Sequence, residues 1–90
     1  MSARGQVLVV DDEPVVTSAI RLVLRAEGLE VASAPDGESA LAHPALSDCR
    51  LVICDLMLPG RSGLEVLAEL RARRPELPIV MITGYATGDQ

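Results

Sequence analysis

The sequence predicts an α/β fold, a doubly wound parallel sheet assembled from alternating strands and helices. Two apolar runs point to it first: Val7-Leu8-Val9-Val10 stops at Asp11-Asp12, and Leu51-Val52-Ile53-Cys54 stops at Asp55. Neither run alternates apolar with polar residues, which marks strands covered on both faces. Between and after these runs, apolar residues recur at helical spacing. The resulting order, β-α-β-α-β-α-β, closes into a parallel sheet through right-handed crossovers with helices on both faces.

Each element has a local reason. After the first strand, Val16, Ile20, Val23 and Leu24 follow a helical period, with Asp12 placed to cap the helix and Pro14 in its first turn. Gly28 supplies a stop, and Glu30 to Ala34, opened by Leu29, reads as a short second strand. Pro35-Asp36-Gly37 is turn chemistry leading to a weak helix from Glu38 to Ala42, which Pro44 must end or bend. The third strand, Leu51 to Cys54, is followed by a Pro59-Gly60-Arg61-Ser62-Gly63 loop. Leu64, Leu67 and Leu70 then read as the core face of a helix that pairs Glu69 with Arg73 and closes at Pro75. The fourth strand is Leu77 to Ile82, with Pro78 near its start, where a missing donor is tolerable, and Thr83-Gly84 at its end.

Ninety residues allow one domain, residues 1–90, with a core resting on Leu, Val, Ile and Ala, because Tyr85 is the only aromatic. The net charge of −5 and the lack of a basic cluster argue against a nucleic acid or an anionic membrane as partner. All eight basic residues are Arg; the chain contains no Lys. Cys49 and Cys54 match no metal-ligand spacing, and Cys54 reads as core filler. The polar N-terminus is unlike a signal peptide and no apolar run is long enough to span a bilayer, so a cytoplasmic location is expected. His43 reads as an exposed loop residue, and Arg71, Arg73 and Arg74 as a solvated helix end.

If the first and third strands are neighbours, Asp11, Asp12 and Asp55 converge at the carboxyl edge of the sheet, where open α/β folds place ligands. Two carboxylates about 4 Å apart repel by roughly 4 kcal/mol at an effective dielectric near 20, so a cation should join them. A set of oxygen donors without His or Cys suits Mg²⁺, usually held by one or two carboxylates and a phosphate oxygen, and makes a poor zinc site.

The motifs that carry these acids resemble the receiver domain of bacterial two-component response regulators. They are Val9-Val10-Asp11-Asp12-Glu13-Pro14, Asp36-Gly37, Asp55-Leu56-Met57-Leu58-Pro59-Gly60 with Gly63-Leu64, and Ile79-Val80-Met81-Ile82-Thr83-Gly84, in family order and spacing. The resemblance implies a flavodoxin-like sheet, of strand order 2-1-3-4-5 in the family. It implies that Asp55 accepts a phosphoryl group from a sensor histidine kinase, a phosphotransfer protein or a small phosphodonor. Asp11, Asp12, Asp55 and the main-chain carbonyl of Met57 would hold Mg²⁺. The Thr83 hydroxyl and the N–H groups of Met57 and Gly84 would meet the phosphoryl oxygens, and Thr83 would relay the signal. Met57 and Tyr85 occupy the positions that flank the hydrolytic water; neither offers a small polar side chain, which implies slow self-dephosphorylation.

The family's lysine follows a fifth strand, and this sequence stops first, so the expected order is 2-1-3-4 with the fifth strand and last helix missing. Such a chain is expected to dimerise through the fourth-strand edge, to exchange elements with a neighbour, or to be a fragment. The main expectation is a phosphoacceptor signalling module rather than a free-standing enzyme. The alternative is a truncated receiver serving as a dimerisation or interaction module, or as a phosphate sink. A Mg²⁺-dependent phosphatase is disfavoured because Met57 stands where its second acid is needed, and a Rossmann site because no Gly-rich loop follows the first strand.

Overall fold

β1 (Val7–Val10) runs up the middle of the sheet and is buried along its whole length. The computed structural model describes residues 6–83. From β1 the chain passes through α1 (Pro14–Ala26) to β2 (Val31–Ala34), then through α2 (Gly37–Leu41) and a short 3₁₀ turn (Pro44–Ser47) to β3 (Leu51–Asp55). It continues through α3 (Gly63–Arg73) to β4 (Ile79–Ile82). All pairings are parallel and the strand order is β2-β1-β3-β4, as expected. Val10 lies level with both Ala34 and Cys54, so β1 and β3 end together.

Alternation along the strands divides the core. Leu8, Val10, Val52 and Cys54 pack into one cluster with Ala40 and Leu41 of α2 and Val66 and Leu70 of α3. Val7 and Val9, of opposite parity, are equally buried but stand outside that cluster, on the face that α1 covers.

Several local expectations are corrected. Asp12 is not the cap of α1: Glu13 holds that position and makes no side-chain cap bond. Pro14 at the first helical position lacks an N–H, which removes one orphan donor, and Asp11 Oδ1 accepts the Glu13 N–H at 2.8 Å. Val23 is exposed, whereas Thr17 is the buried residue of the helix. α2 starts one residue early, at Gly37, because Asp36 caps it by accepting the Ser39 N–H at 2.7 Å.

In α3 the core face is Gly63, Val66 and Leu70, not the leucine series; Leu64 is 63% exposed and Leu67 half-buried. A capping box sets this register: Ser62 Oγ accepts the Glu65 N–H while Glu65 Oε1 accepts the Ser62 N–H, both at 3.2 Å. The expected Glu69–Arg73 pair is present at 3.9 Å.

The end of α3 is exposed at Arg71 and Arg73, as expected, but two of its arginines also tie it down. Arg73 Nη1 donates to the Leu41 carbonyl at 2.7 Å, and Arg74 Nη1 donates to the carbonyls of Cys49 (2.7 Å) and Leu46 (3.1 Å). His43, expected as an exposed loop residue, is half-buried and caps the 3₁₀ turn, its Nδ1 accepting the Ala45 N–H at 3.0 Å. Cys54 is fully buried, as its strand position predicted.

Candidate functional site

Three acids meet where β1 and β3 end. Asp11 follows β1 and its N–H donates to the Ala34 carbonyl at 3.0 Å, while Asp55 is the last residue of β3, in register with Ile82 of β4. Each of Asp11, Asp12 and Asp55 offers a carboxylate oxygen, and these lie within 4.8 Å of one another. Asp11 and Asp55 are buried, at 5% and 6% exposure, whereas Asp12 faces solvent.

The two buried carboxylates are oriented by the backbone. Asp11 Oδ1 takes the Glu13 N–H, and Asp55 Oδ1 takes the Met57 N–H at 3.1 Å, each from two residues on in the Asx-turn manner. Burial, more than any other influence, pushes the Asp11 carboxyl up from its ordinary value. The Glu13 N–H opposes that shift, and the negative charges of Asp55, Asp12 and Glu13 add to it.

No basic residue forms an ion pair with the trio among the described residues. Their ion pairs are Arg61–Glu38, Arg73–Glu69 and Arg74–Glu76, none of them at the trio. Three convergent carboxylates, two of them buried, with no His or Cys donor, form an oxygen-only set that fits a hard divalent cation such as Mg²⁺. A cleft of about 270 Å³ opens beside Asp11 and Asp12, and Arg21 spans it from α1, donating to Ser33 Oγ at 3.3 Å and the Val31 carbonyl at 3.4 Å.

Of the remaining sequence-predicted residues, Met57 and Thr83 lie at the same edge. Met57 follows Asp55 with its N–H on the acceptor carboxylate and its side chain 59% exposed. Thr83 is exposed and follows Ile82, the register partner of Asp55. Gly84 and Tyr85 lie outside the described residues. One close contact escaped sequence reasoning: Gly63, read as the end of a loop, lies directly against the Asp55–Leu56 peptide. Its presence in the Gly63-Leu64 motif was the only signal.

Comparison with known proteins gives this geometry a context. Residues 7–90 match the response regulator receiver domain. The chain is 46% identical over 78 residues to a probable transcriptional regulatory protein, TcrX, of Mycobacterium tuberculosis, covering 87% of this chain and 33% of that protein. It is 45% identical over 83 residues to the DNA-binding response regulator MtrA of Mycolicibacterium smegmatis, covering 90% of this chain and 35% of the relative. It therefore spans about a third of the length of these relatives. Among solved structures, the response regulator TrrA of Thermotoga maritima in complex with Mg²⁺-BeF superposes with a TM-score of 0.82 at 40% identity, over 90% of this chain and 70% of that one. TrrA in complex with the histidine kinase ThkA gives 0.80 at 40% identity, over 88% and 68% of the two chains. No helix among the described residues is long and apolar enough to cross a membrane. A family match that runs from the first strand onward, on a sheet of the order expected, has one meaning: this chain belongs to the response regulator receiver domains.

Proposed function

We propose that Asp55 is the phosphoacceptor of a two-component signalling module, loaded by a histidine kinase or a phosphotransfer protein with Mg²⁺ as the required ion. The observation that carries this reading is the convergence of Asp11, Asp12 and Asp55 within 4.8 Å at the strand ends, with Asp55 held by the Met57 N–H. An Asp55 carboxylate oxygen attacks the phosphorus of a phosphohistidine. The P–O bond forms as the P–N bond breaks, and the leaving imidazole nitrogen takes up a proton. Phosphoryl transfer needs little covalent help, so the protein contributes position and charge neutralisation.

Asp11, Asp12, Asp55 and the Met57 main-chain carbonyl would hold Mg²⁺, which supplies the positive charge that the phosphoryl oxygens and the acid trio both require. Asp11 and Asp12 bring the ion to the attacking carboxylate. The Met57 N–H, now on Asp55 Oδ1, turns to a transferred oxygen. Thr83 follows β4 at the same edge; with Gly84 it serves the other oxygens, and Thr83 carries the signal onward. Met57 and Tyr85 offer the hydrolytic water no small polar side chain, so the phospho-form is long-lived. The reading takes a histidine kinase as partner, supported by the ThkA complex of TrrA, and with it a cytoplasmic location.

A second reading, an interaction module that associates as a homodimer through β4, has one observation in its favour. Among the described residues β4 pairs only with β3, and Val80 is 48% exposed. Light scattering with Mg²⁺, before and after beryllofluoride, separates the two. A mass change or a stabilisation that Asp55→Asn abolishes supports the phosphoacceptor. A dimer indifferent to the mimic supports the module.

A further inference from the structure

The acceptor loop returns to its own start. The chain leaves β3 at Asp55, turns at Gly60 with a φ of 78°, and comes back so that the first residue of α3, Gly63, lies against the Asp55–Leu56 peptide. The Gly63 N–H donates to the Leu56 carbonyl at 3.1 Å, while the Leu56 N–H donates to the Ile82 carbonyl at 2.8 Å. Leu56 is thus gripped through both backbone groups, by α3 on one side and β4 on the other. The next N–H along, that of Met57, is the one directed at the Asp55 carboxylate.

This grip needs a residue without a side chain. A Cβ on Gly63 would stand 2.7 Å from Leu56 Cα and closer still to the Asp55 carbonyl oxygen, and both obstacles are backbone. Backbone pinned at both ends cannot rotate aside as a side chain can. Any side chain at 63 must therefore move the Leu56–Met57 peptide or lift the first turn of α3.

We propose that Gly63 is a positioning residue for phosphoryl transfer: by seating α3 on the Asp55–Leu56 peptide it fixes the direction of the Met57 N–H towards the acceptor. The proposal rests on the reading of Asp55 as phosphoacceptor. Gly37 provides a matched contrast. It is equally tight, but a Cβ there would meet side-chain atoms, Val66 Cγ2 at 2.5 Å and Arg61 Cβ at 3.4 Å, and no backbone of the acceptor peptide. A purely structural role for Gly63 makes the two glycines equivalent; a positioning role separates them.

The test measures beryllofluoride affinity with saturating Mg²⁺, and the amide resonance of Met57, in the wild-type chain, Gly63→Ala, Gly37→Ala and Asp55→Asn. Gly63→Ala is expected to weaken the mimic about tenfold, equivalent to about 1.4 kcal/mol, and to shift the Met57 amide. Gly37→Ala is expected to lower the melting temperature while leaving affinity within about twofold and that amide in place. Equal affinities in Gly63→Ala and wild type overturn the proposal, as does an equal loss in Gly37→Ala. A wild-type chain that binds the mimic no better than Asp55→Asn overturns the acceptor reading and the proposal with it. If Gly63→Ala does not fold, Ser62→Ala takes its place. It keeps the glycine but removes the Ser62 Oγ that accepts the Glu65 N–H and seats the first turn, and an affinity within about threefold of wild type overturns the proposal.

Discussion

Replacing Asp11 with Asn is expected to stabilise the chain without Mg²⁺ and to remove most of its response to the ion. Asp11 and Asp55 are both buried, and their oxygens lie within 4.8 Å, which corresponds to about 3 kcal/mol of repulsion at an effective dielectric near 20. Asp12 is exposed, so its share is screened by solvent. The Asn side chain keeps a carbonyl oxygen for the Glu13 N–H, so the turn into α1 survives. A net gain of about 1–2 kcal/mol at pH 7 follows, or about 4–15 °C in melting temperature for a domain of this size. The pH dependence has a definite sign. Because the folded Asp11 carboxyl lies above its ordinary value of 3.8, its contribution to stability is fully present below that value and is lost as pH rises through the folded one. Thermal unfolding of wild type and variant from pH 3 to 8, in EDTA and in saturating Mg²⁺, checks this. The advantage of the variant should grow with pH in EDTA and reverse in Mg²⁺. A variant less stable than wild type in EDTA at pH 7, or one that Mg²⁺ stabilises equally, would refute the argument.

Two further outcomes concern the core. Arg74→Ala should cost about 2 kcal/mol by leaving the Cys49 and Leu46 carbonyls without their charged donor, and Arg74→Lys should recover part of that loss, since both bonds come from the single Nη1 and an ammonium carries three donors. Urea midpoints measure both, and a loss confined to the exposed Glu76 pair would be too small to see. The Cys54 thiol, fully buried and pushed up to about 11 chiefly by burial, should resist iodoacetamide at pH 8 in the folded chain and react once urea unfolds it. Rapid labelling of the folded protein would contradict its place under the acid site.

The strands and the acid trio were legible because their signals are local. Unbroken apolar runs ending in Asp need only a parallel sheet to bring Asp11 and Asp55 together. Helix facing was less legible. In α3, leucines at 64, 67 and 70 suggest a core stripe, but only Leu70 belongs to it and the core line runs through Gly63, Val66 and Leu70, because the helix starts pressed against backbone. Arg74 and His43 were misjudged for a related reason: their partners are main-chain groups far along or just beside them in sequence, and backbone carbonyls and amides carry no residue signature. Thr83 was placed at the edge through the length of β4, although β4 itself begins at Ile79, two residues after the expected Leu77.

The register of β4 limits how a signal could leave the acceptor. Asp55 is level with Ile82, and the Leu56 N–H is bonded to the Ile82 carbonyl, so the end of β4 is held at the level of the acceptor. Sliding β4 by one residue would move it about 3.3 Å and turn every side chain to the opposite face, carrying half-buried Ile79 and Met81 off the core cluster. Among the described residues β4 is thus a fixed post beside the acceptor, and a change at Asp55 meets a strand that resists sliding.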